Sequence, residues 1–530
     1  MSGRLAARPA RLLADRLPEP VRQRLDRLRR GESPALTRPV SRPAPRGVTP
    51  EVVTEFDAHA VRAGVLASVT GTLDTAGLGY VLLPRRPGRP RHVAVAADER
   101  TAALAALRSA MSGPGRVIDP APRGRARAGV VRAYRVLAAP GGQVLCGAET
   151  GCEIGFWPEI PAGSRRPEGG THEPGARRAP SANGITAYLS GEAWRRAAAA
   201  PNHWTVAAPP PDVTEVTEPV DVVVTWVDGD DPAWRARRNR YAPGDDHNDS
   251  AGHASRYAAG RDELRYALRS VAMYAGWVRR IHLVTDDQVP AWLDVEHPAI
   301  NLVDHRDIFA DPSALPVFNS HAIESRLHHS DGLAEHYLYL NDDMFLGRPV
   351  EPELFYGGNG IEKVFWSKDT IDLDPPTSRD LPAITAAKNG RALIEREFGV
   401  TVHRKYQHAA HPQLRSVVAE MEKRHPELFE TVARSRFRHP DDHAIPSSLQ
   451  HSYALALGRA VTGQWRYAYQ DIGRATTPRA LDNILRRRPE SFCLNDMGTE
   501  EIDPDAQREA LRRFFGEYFP LPAPWEIPGR

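Results

Sequence analysis

The sequence lacks the features of several common protein classes. It has only three cysteines in 530 residues, an odd, low count that argues against a disulfide framework and favours a reducing compartment. It has no apolar run of about 18 residues, the length that a membrane-spanning helix needs, and its N-terminus lacks the apolar core of a signal peptide. A net charge of +2 provides no broad basic field for nucleic acid. We therefore expect a cytoplasmic protein without a nucleic-acid partner.

Residues 1–50 form an arm and linker rich in arginine, alanine and proline. Six leucines are spread among the basic residues of 1–30. Two interpretations stay open: a solvated arm, or a basic amphipathic segment on an anionic membrane surface. The second would place the protein peripherally at the inner face of the plasma membrane.

Residues 51–205 are predicted to form a smaller N-terminal α+β domain. Apolar periodicity and turn residues predict helices at 52–75 and 98–111, strands at 80–84 and 92–96, and a hairpin at 130–146. No group of side chains in this part has the spacing of a catalytic site. We therefore expect an accessory role for it.

Residues 215–528 are predicted to form a catalytic domain of the α/β class, with a Rossmann-like, mostly parallel sheet. Short apolar runs alternate here with helical patterns, as in βαβ units. The first run, 221–227, is apolar almost throughout, which indicates a strand buried on both faces. Further strands are predicted at 279–285, 299–303 and 337–340, with a helix at 262–275.

Each predicted strand of this domain runs directly into a carboxylate. They are Asp228, Asp286, Asp304 and the pair Asp342 and Asp343. Ligands of open parallel sheets bind outside the carboxyl ends of the strands. Several carboxylates on one rim repel one another unless a cation offsets them, and oxygen ligands favour Mg²⁺ or Mn²⁺. We predict that Asp228, Asp342 and Asp343 bind such an ion; the alternative is that these residues cap helices and turns.

Arginine and histidine side chains provide candidates for binding phosphate and moving protons. Arg261, Arg265 and Arg269 recur every four residues on one predicted helix face, which indicates either a phosphate-binding stripe or a solvated face. Arg438 and His439 lie in a dense charged cluster. Histidine is the side chain whose ordinary pKa best suits proton transfer near neutral pH.

These motifs resemble those of the Stealth proteins, a family defined by four separated regions. The first resembles 221–234 and the second 262–292. The third is similar to 315–324 together with 336–345, and the fourth to 493–496 and the stretch up to 524. The family includes bacterial capsule and exopolysaccharide phosphotransferases, and the enzyme that tags lysosomal proteins with N-acetylglucosamine 1-phosphate. Residues 1–200 lie outside the resemblance.

The resemblance implies transfer of a hexose 1-phosphate from a nucleotide-sugar donor to a poly- or oligosaccharide hydroxyl, with a divalent metal. It implies that Asp342, Asp343, Arg438 and His439 act in catalysis. We expect the substrates to be bound by side chains of the first three regions, namely Trp226, Asp228, Glu263, Arg265, Asp286, Asn319 and His321. Two other hypotheses stay open: a metal-dependent glycosyltransferase, and an inactive carbohydrate-binding protein.

Overall fold

The computed structural model describes residues 43–120, 129–200, 203, 210–242 and 262–530. Most of the predicted basic arm (residues 1–42) and Arg261 lie outside these residues, so the two interpretations of the arm are not tested. Across the described ranges, no helix combines the length and apolar character that crossing a membrane requires.

The N-terminal part of the chain contains two mixed sheets and a short strand pair. Its strands are β1 (Glu51–Val52), β2 (Tyr80–Leu82), β3 (His92–Ala96), β4 (Arg116–Pro120), β5 (Val130–Arg135), β6 (Leu137–Ala138), β7 (Val144–Cys146), β8 (Cys152–Trp157), β9 (Arg177–Arg178) and β10 (Tyr188–Leu189). Its helices are α1 (Ala58–Thr75), α2 (Arg100–Ala110) and α3 (Gly191–Ala199). The sheet orders are β2-β3-β8-β5-β4 and β1-β6-β7.

The first predicted helix begins later than its apolar pattern indicates. The predicted start at residue 52 is wrong, because residues 51–52 pair with β6. Asp57 then caps α1 by accepting a 2.7 Å hydrogen bond from the His59 backbone. Strands β4 and β8 were not predicted at all. Strand β3 spans the whole predicted run at 92–96, and the hairpin is the antiparallel pair β6–β7.

In its described residues, the rest of the chain contains twelve strands, five of which form a further sheet. Its strands are β11 (Val220–Thr225), β12 (Ile281–Thr285), β13 (Ile300–Asp304), β14 (His336–Asn341), β15 (Met344–Leu346), β16 (Glu362–Val364), β17 (Trp366–Thr370), β18 (Arg404–Tyr406), β19 (His411–Leu414), β20 (Ala460–Thr462), β21 (Tyr467–Asp471) and β22 (Ser491–Asn495). Its helices are α4 (Pro232–Tyr241), α5 (Glu263–Tyr274), α6 (His305–Ile308), α7 (Ser320–Glu324), α8 (Pro382–Phe398), α9 (Arg415–Arg424), α10 (Pro426–Arg434), α11 (Gln450–Ala456), α12 (Thr477–Arg487) and α13 (Pro504–Tyr518).

The five-stranded sheet has the order β13-β12-β11-β14-β19. Its first four strands are parallel, and β19 pairs antiparallel with β14. Val222 and Val224 in β11 pack into one apolar cluster, whereas Val223 packs into another. Strand β11 is therefore buried on both faces, as its apolar run predicts. The chain is a mixed α/β protein.

The N-terminal part and the central sheet contribute to the same apolar cluster. Phe56 and Tyr274 both belong to it, and their rings meet edge to face with centroids 6.5 Å apart. Arg85 adds ion pairs to Glu353 at 2.7 Å and to Glu351 at 3.0 Å. The predicted division into domains at 51–205 and 215–528 stays a prediction, and these contacts link the two parts closely.

Candidate active site at the carboxyl edge of the sheet

The central strands bring two predicted acidic segments side by side. Thr225 at the end of β11 pairs in register with Asn341 at the end of β14. The chain then leaves β11 through Trp226 and the exposed Asp228, whereas Asp342 and Asp343 form the turn between β14 and β15. Asp343 is only 3% exposed. The carboxylates of these two strands therefore emerge at one edge of the sheet.

Asp343 lies beside two side chains that were not predicted as site residues. His408 Nε2 is 3.7 Å from Asp343 Oδ2. Cys493 of β22 pairs with Met344, the residue after Asp343, and the Asp343 carbonyl accepts a 3.0 Å hydrogen bond from Leu494 N. The ligand atoms of Asp343, His408 and Cys493 all lie within 4.8 Å of one another. No local motif could have predicted this group, because its members are distant in sequence.

The donors around Asp343 fit a divalent cation. A carboxylate, an imidazole and a thiolate suit Zn²⁺ as a full set, whereas Mg²⁺ would use mainly the oxygen donor. In the part of the chain that the structure describes, the groups of three or more such ligands are this one and His328, His329 and Glu422. Asp228 and Asp342 belong to neither group, so their predicted role as metal ligands stays a prediction.

A buried tyrosine ties together the ends of β11 and β14. The Tyr339 hydroxyl lies 2.6 Å from Asn341 Oδ1, 3.0 Å from Glu324 Oε1 and 3.1 Å from Thr225 Oγ1. Because these contacts join two strands to α7, they hold the Asp342–Asp343 turn in a fixed position relative to that helix.

Asp442 joins the two predicted histidine-containing segments. Its Oδ2 accepts hydrogen bonds from Asn319 Nδ2 at 2.8 Å, His321 Nδ1 at 3.2 Å and His439 N at 3.1 Å. Asn319 is also the N-cap of α7 and donates to the carbonyls of Ser435 and Phe437. The residues around α7 and those around residue 439 therefore form one hydrogen-bonded unit.

Within this unit the predicted catalytic pair consists of a half-buried Arg438 and an exposed His439. Arg438 Nη2 donates to Ser320 Oγ at 2.6 Å, which fixes the guanidinium beside the start of α7. The side chain of His439 is 55% exposed and its Nδ1 lies 3.6 Å from Asp441. An anchored guanidinium next to an accessible imidazole is suited to binding an anion and exchanging a proton.

Burial sets the charge of the inner groups of this unit. Burial lowers the pKa of His321, and the nearby Arg438 charge lowers it further, against the opposing hydrogen bond to Asp442. Burial alone would raise the pKa of Asp442, but hydrogen bonds, first of all that from His321, lower it. We therefore expect a neutral His321 and an ionised Asp442 at neutral pH.

Other strand-end carboxylates have structural partners. Asp304 caps α6 and is bound by Arg306. Asp286 forms a 3.0 Å ion pair with Arg237 of α4. The Asp228 backbone is fixed by two hydrogen bonds to the amide of Gln288, while its carboxylate is at the surface. Of the positions at this edge, Asp304 is thus explained by capping.

Arg265 is engaged by the C-terminal segment. Its Nε donates to Glu526 Oε2 at 2.6 Å and its Nη2 to the Arg530 carbonyl at 2.6 Å. Glu263 is partly buried in the first turn of α5, and Trp226 packs partly buried against the core. Substrate binding by these three residues stays a prediction, and for Arg265 it would require exchange of its present partners.

Family models of four conserved regions match the chain in order. They are described as Stealth protein conserved region 1 at residues 218–246, region 2 at 256–364, region 3 at 407–455 and region 4 at 482–530. The predicted third region at 315–345 was wrong, since those residues fall within region 2. Region 3 instead contains His408, Arg438, His439 and Asp442.

Curated relatives carry names that describe one activity. Exopolysaccharide phosphotransferase SCO6023 of Streptomyces coelicolor is 44% identical over 75% of this chain and 68% of its own length. SCO6021 of the same organism, with the same description, is 37% identical over 88% of this chain and 90% of its length. CpsY of Mycobacterium tuberculosis, also an exopolysaccharide phosphotransferase, is 38% identical over 75% and 73%.

A solved structure of the galactosyltransferase LgtC covers 57% of this chain and 96% of its own, at 12% identity and a TM-score of 0.30. That likeness is too low to establish a common fold. The four matched regions, and the bacterial relatives that align with most of the chain, are sufficient to assign the family. The chain belongs to the Stealth family of exopolysaccharide phosphotransferases.

Proposed function

We propose that this enzyme transfers a hexose 1-phosphate from a nucleotide sugar to a hydroxyl of a poly- or oligosaccharide. The observation that supports this reaction best is the unit formed by Asn319, His321 and Asp442, which anchors Arg438 and presents His439. A fixed guanidinium matches the charge that spreads over phosphoryl oxygens during transfer. The carboxylate turn at Asp342–Asp343 follows the strand end tied to α7, the helix that carries Ser320.

In the proposed step, the acceptor oxygen attacks the phosphorus that bears the sugar. A new phosphorus–oxygen bond forms, the bond from this phosphorus to the bridging oxygen breaks, and a nucleoside monophosphate leaves. The acceptor proton passes to His439 or to a site carboxylate. Positioned general bases of this kind contribute about 10²–10⁴ in rate, and most of the remaining catalysis in phosphoryl transfer comes from positioning and charge stabilisation.

A bound divalent metal, predicted as Mg²⁺ or Mn²⁺, would neutralise charge on the diphosphate. Asp343 and His408 would hold it, and the nearby Cys493 thiol makes Zn²⁺ a further candidate. The prediction that Asp228 and Asp342 also bind the metal is part of this proposal. It requires the exposed Asp228 side chain to turn towards the donor.

The donor is proposed to lie along the carboxyl edge, in a Rossmann-like arrangement in which Trp226, Asp228 and Asp286 contact the nucleotide. Trp226 is only partly buried, so part of its side chain is accessible for contact with a base. Action at the inner face of the plasma membrane, through the basic arm, is part of the same proposal.

The by-product distinguishes this reaction from glycosyl transfer. Purified full-length protein would be incubated with a panel of nucleotide sugars and an oligosaccharide acceptor, and released nucleotides separated by chromatography. The proposal expects the nucleoside monophosphate, with loss of activity in excess chelator and recovery on adding metal. Release of the diphosphate would favour a glycosyltransferase, and no turnover with any donor would favour a carbohydrate-binding protein.

A further inference from the structure

Four arginines line a cleft away from the carboxyl edge of the sheet. The cleft has a volume of about 530 Å³ and lies among Arg348, Arg486, Arg487 and Arg488, with Tyr274 and Glu149 also in its wall. The last three arginines are the end of α12 and the residue that follows it. Arg348 comes from the segment after β15, so the arginines of the wall belong to two separate parts of the chain.

The arginines at the end of α12 have neutral rather than acidic hydrogen-bond partners: Arg486 donates to Asn483 and Arg488 to Tyr274. Glu149 is the carboxylate in the wall of the cleft itself. Among the residues that the structure describes, no carboxylate oxygen lies within 4.0 Å of the guanidinium nitrogens of Arg486, Arg487 or Arg488, whereas Arg348 lies 3.5 Å from Glu490. Cations at a helix C-terminus are favourable with the helix dipole, which accounts for Arg486 and Arg487 alone. It does not account for Arg348, which reaches the same cleft from another segment.

The base of the cleft is held rigidly. Arg488 has a φ of +41°, a left-handed conformation that is uncommon outside glycine, and its guanidinium lies 4.7 Å from the centre of the Tyr518 ring. Arg488 Nη1 also donates to Tyr274 Oη at 3.0 Å. At Gly347, just before Arg348, a Cβ would lie 2.4 Å from the Pro489 carbonyl. The close approach of these two segments therefore fixes the backbone at Arg348 relative to that at Arg488.

The cleft and Asp343 lie at opposite ends of one strand pair. Strands β15 and β22 run antiparallel, with Met344 opposite Cys493 and Leu346 opposite Ser491. Asp343 precedes β15 and Arg348 follows it, and five residues of extended chain span at most about 18 Å. Arg348 in the wall of the cleft is thus no farther than this, backbone to backbone, from Asp343 at the proposed reaction centre.

We propose that this cleft binds phosphodiester groups of an acceptor chain that the enzyme has already extended. This inference rests on the proposed function, because the product of that reaction is a polymer with a negative phosphate at each new linkage. Guanidinium groups are suited to phosphate oxygens through paired hydrogen bonds. The concave shape of the site favours a flexible chain over the flat surface of a membrane.

Binding is measured without turnover, so the result does not depend on the donor or the reaction. A fluorescent oligomer of poly(glycerol phosphate) serves as the phosphodiester probe, and a dextran oligomer of equal length serves as the neutral probe. Full-length protein should bind the first and not the second. The double variant R348A/R487A should bind the phosphodiester oligomer at least ~10-fold more weakly. Arg488 is left intact because it packs against Tyr518.

The matched control is R479A, which removes an exposed arginine from the same helix outside the cleft. It should bind the oligomer like the unmodified protein, and all variants should keep the same melting temperature. Unchanged binding in R348A/R487A, or equal loss in R479A, would overturn the proposal. Equal binding of the neutral oligomer would also overturn it. Binding to phosphatidylglycerol vesicles is measured in parallel, and if R348A/R487A lost only vesicle binding and kept oligomer binding, the proposal would be overturned as well. A protein that binds the oligomer through the cleft but shows no phosphoryl transfer would refute the proposed function only.

Discussion

The carboxylates at the carboxyl edge of the sheet differ in the side chains that surround them. Asp304 caps a helix and is bound by Arg306, and Asp286 is paired with Arg237. Asp343 is buried instead beside His408 and Cys493, two residues with metal-binding atoms. A buried carboxylate beside such residues is better explained by a role in metal binding or catalysis than by helix capping.

Asp343 is therefore the carboxylate whose charge we expect catalysis to need most. Asp343→Asn keeps the shape and removes the charge, so turnover should fall at least ~10²-fold if the group binds metal or moves a proton. The matched control is Asp287→Asn, at an exposed position of the same edge with a φ of +55°, which asparagine tolerates. Near-normal turnover in Asp343→Asn, measured with saturating donor and metal, would contradict this role.

The sequence indicates the site residues that come in dense local patterns and misses those that only folding brings together. Asn319, His321, Arg438 and His439 were found from such patterns. The structure joins Asn319, His321 and His439 through Asp442, and Arg438 is bound to Ser320 at the start of α7. His408 and Cys493 carry no local signal, because a lone histidine or cysteine is ordinary in sequence. Their proximity to Asp343 depends on the pairing of β15 with β22.

At the scale of elements, the segment 435–443 has little regular structure and is held by side chains. Asn319 binds two of its carbonyls, and Asp442 binds one of its amides together with His321. The position of Arg438 and His439 therefore depends on buried hydrogen bonds rather than on a helix or strand.

Replacing Asp442 should disturb both stability and activity. Asp442→Asn removes the charge that accepts three hydrogen bonds at a residue only 1% exposed, so unfolding should become easier by about 1–3 kcal/mol. Turnover should fall as well, because Arg438 and His439 lose their support. Asp441→Asn, one residue away and exposed, should leave the urea midpoint unchanged. Equal midpoints for the two variants would argue against this scaffold.

Elements with strong periodicity were predictable, and elements defined by their partners were not. Strands β11 and β3 follow from continuous apolar runs, and α5 from helical spacing. The two-residue strand β1 has no pattern of its own and exists because it pairs with β6. Strand β19 is antiparallel to its parallel neighbours, and strand direction depends on connections that local sequence does not encode.

At the scale of the whole molecule, one large apolar cluster contains residues of both the N-terminal part and the central sheet. His59 Nε2 lies 3.0 Å from the Val350 carbonyl, and Arg62 pairs with Glu351. Contacts of this kind, together with the apolar packing of Phe56 on Tyr274, would be lost if the N-terminal part were removed.

A chain that begins at residue 212 should therefore be less stable than the full-length protein. Removing α1 exposes apolar surface on α5, and leaves Glu351 and Glu353 without Arg85. We expect lower solubility and a lower melting temperature by calorimetry. A soluble fragment with the melting temperature of the full chain would show that the parts fold independently.

Acidification should destabilise the molecule below about pH 6.5. Burial is the largest cause that lowers the pKa of six histidines, namely His305, His321, His328, His411, His425 and His443. The unfolded chain then binds protons that the native state excludes, so stability falls with falling pH by up to about 1.4 kcal/mol per pH unit for each proton. Urea midpoints should be flat from pH 8 to 7 and fall below 6.5; a midpoint independent of pH down to 5.5 would contradict this.

The fate of the sugar-linked phosphorus tests the central claim most directly. A nucleotide sugar carrying ³²P at that phosphate would be incubated with the full-length enzyme, metal and acceptor. Attack at phosphorus, with charge spread onto Arg438, predicts that the label enters the polymer and that phosphorus NMR shows a sugar–phosphate–sugar linkage. Label found only in released nucleoside diphosphate, with none in the polymer, would contradict phosphoryl transfer.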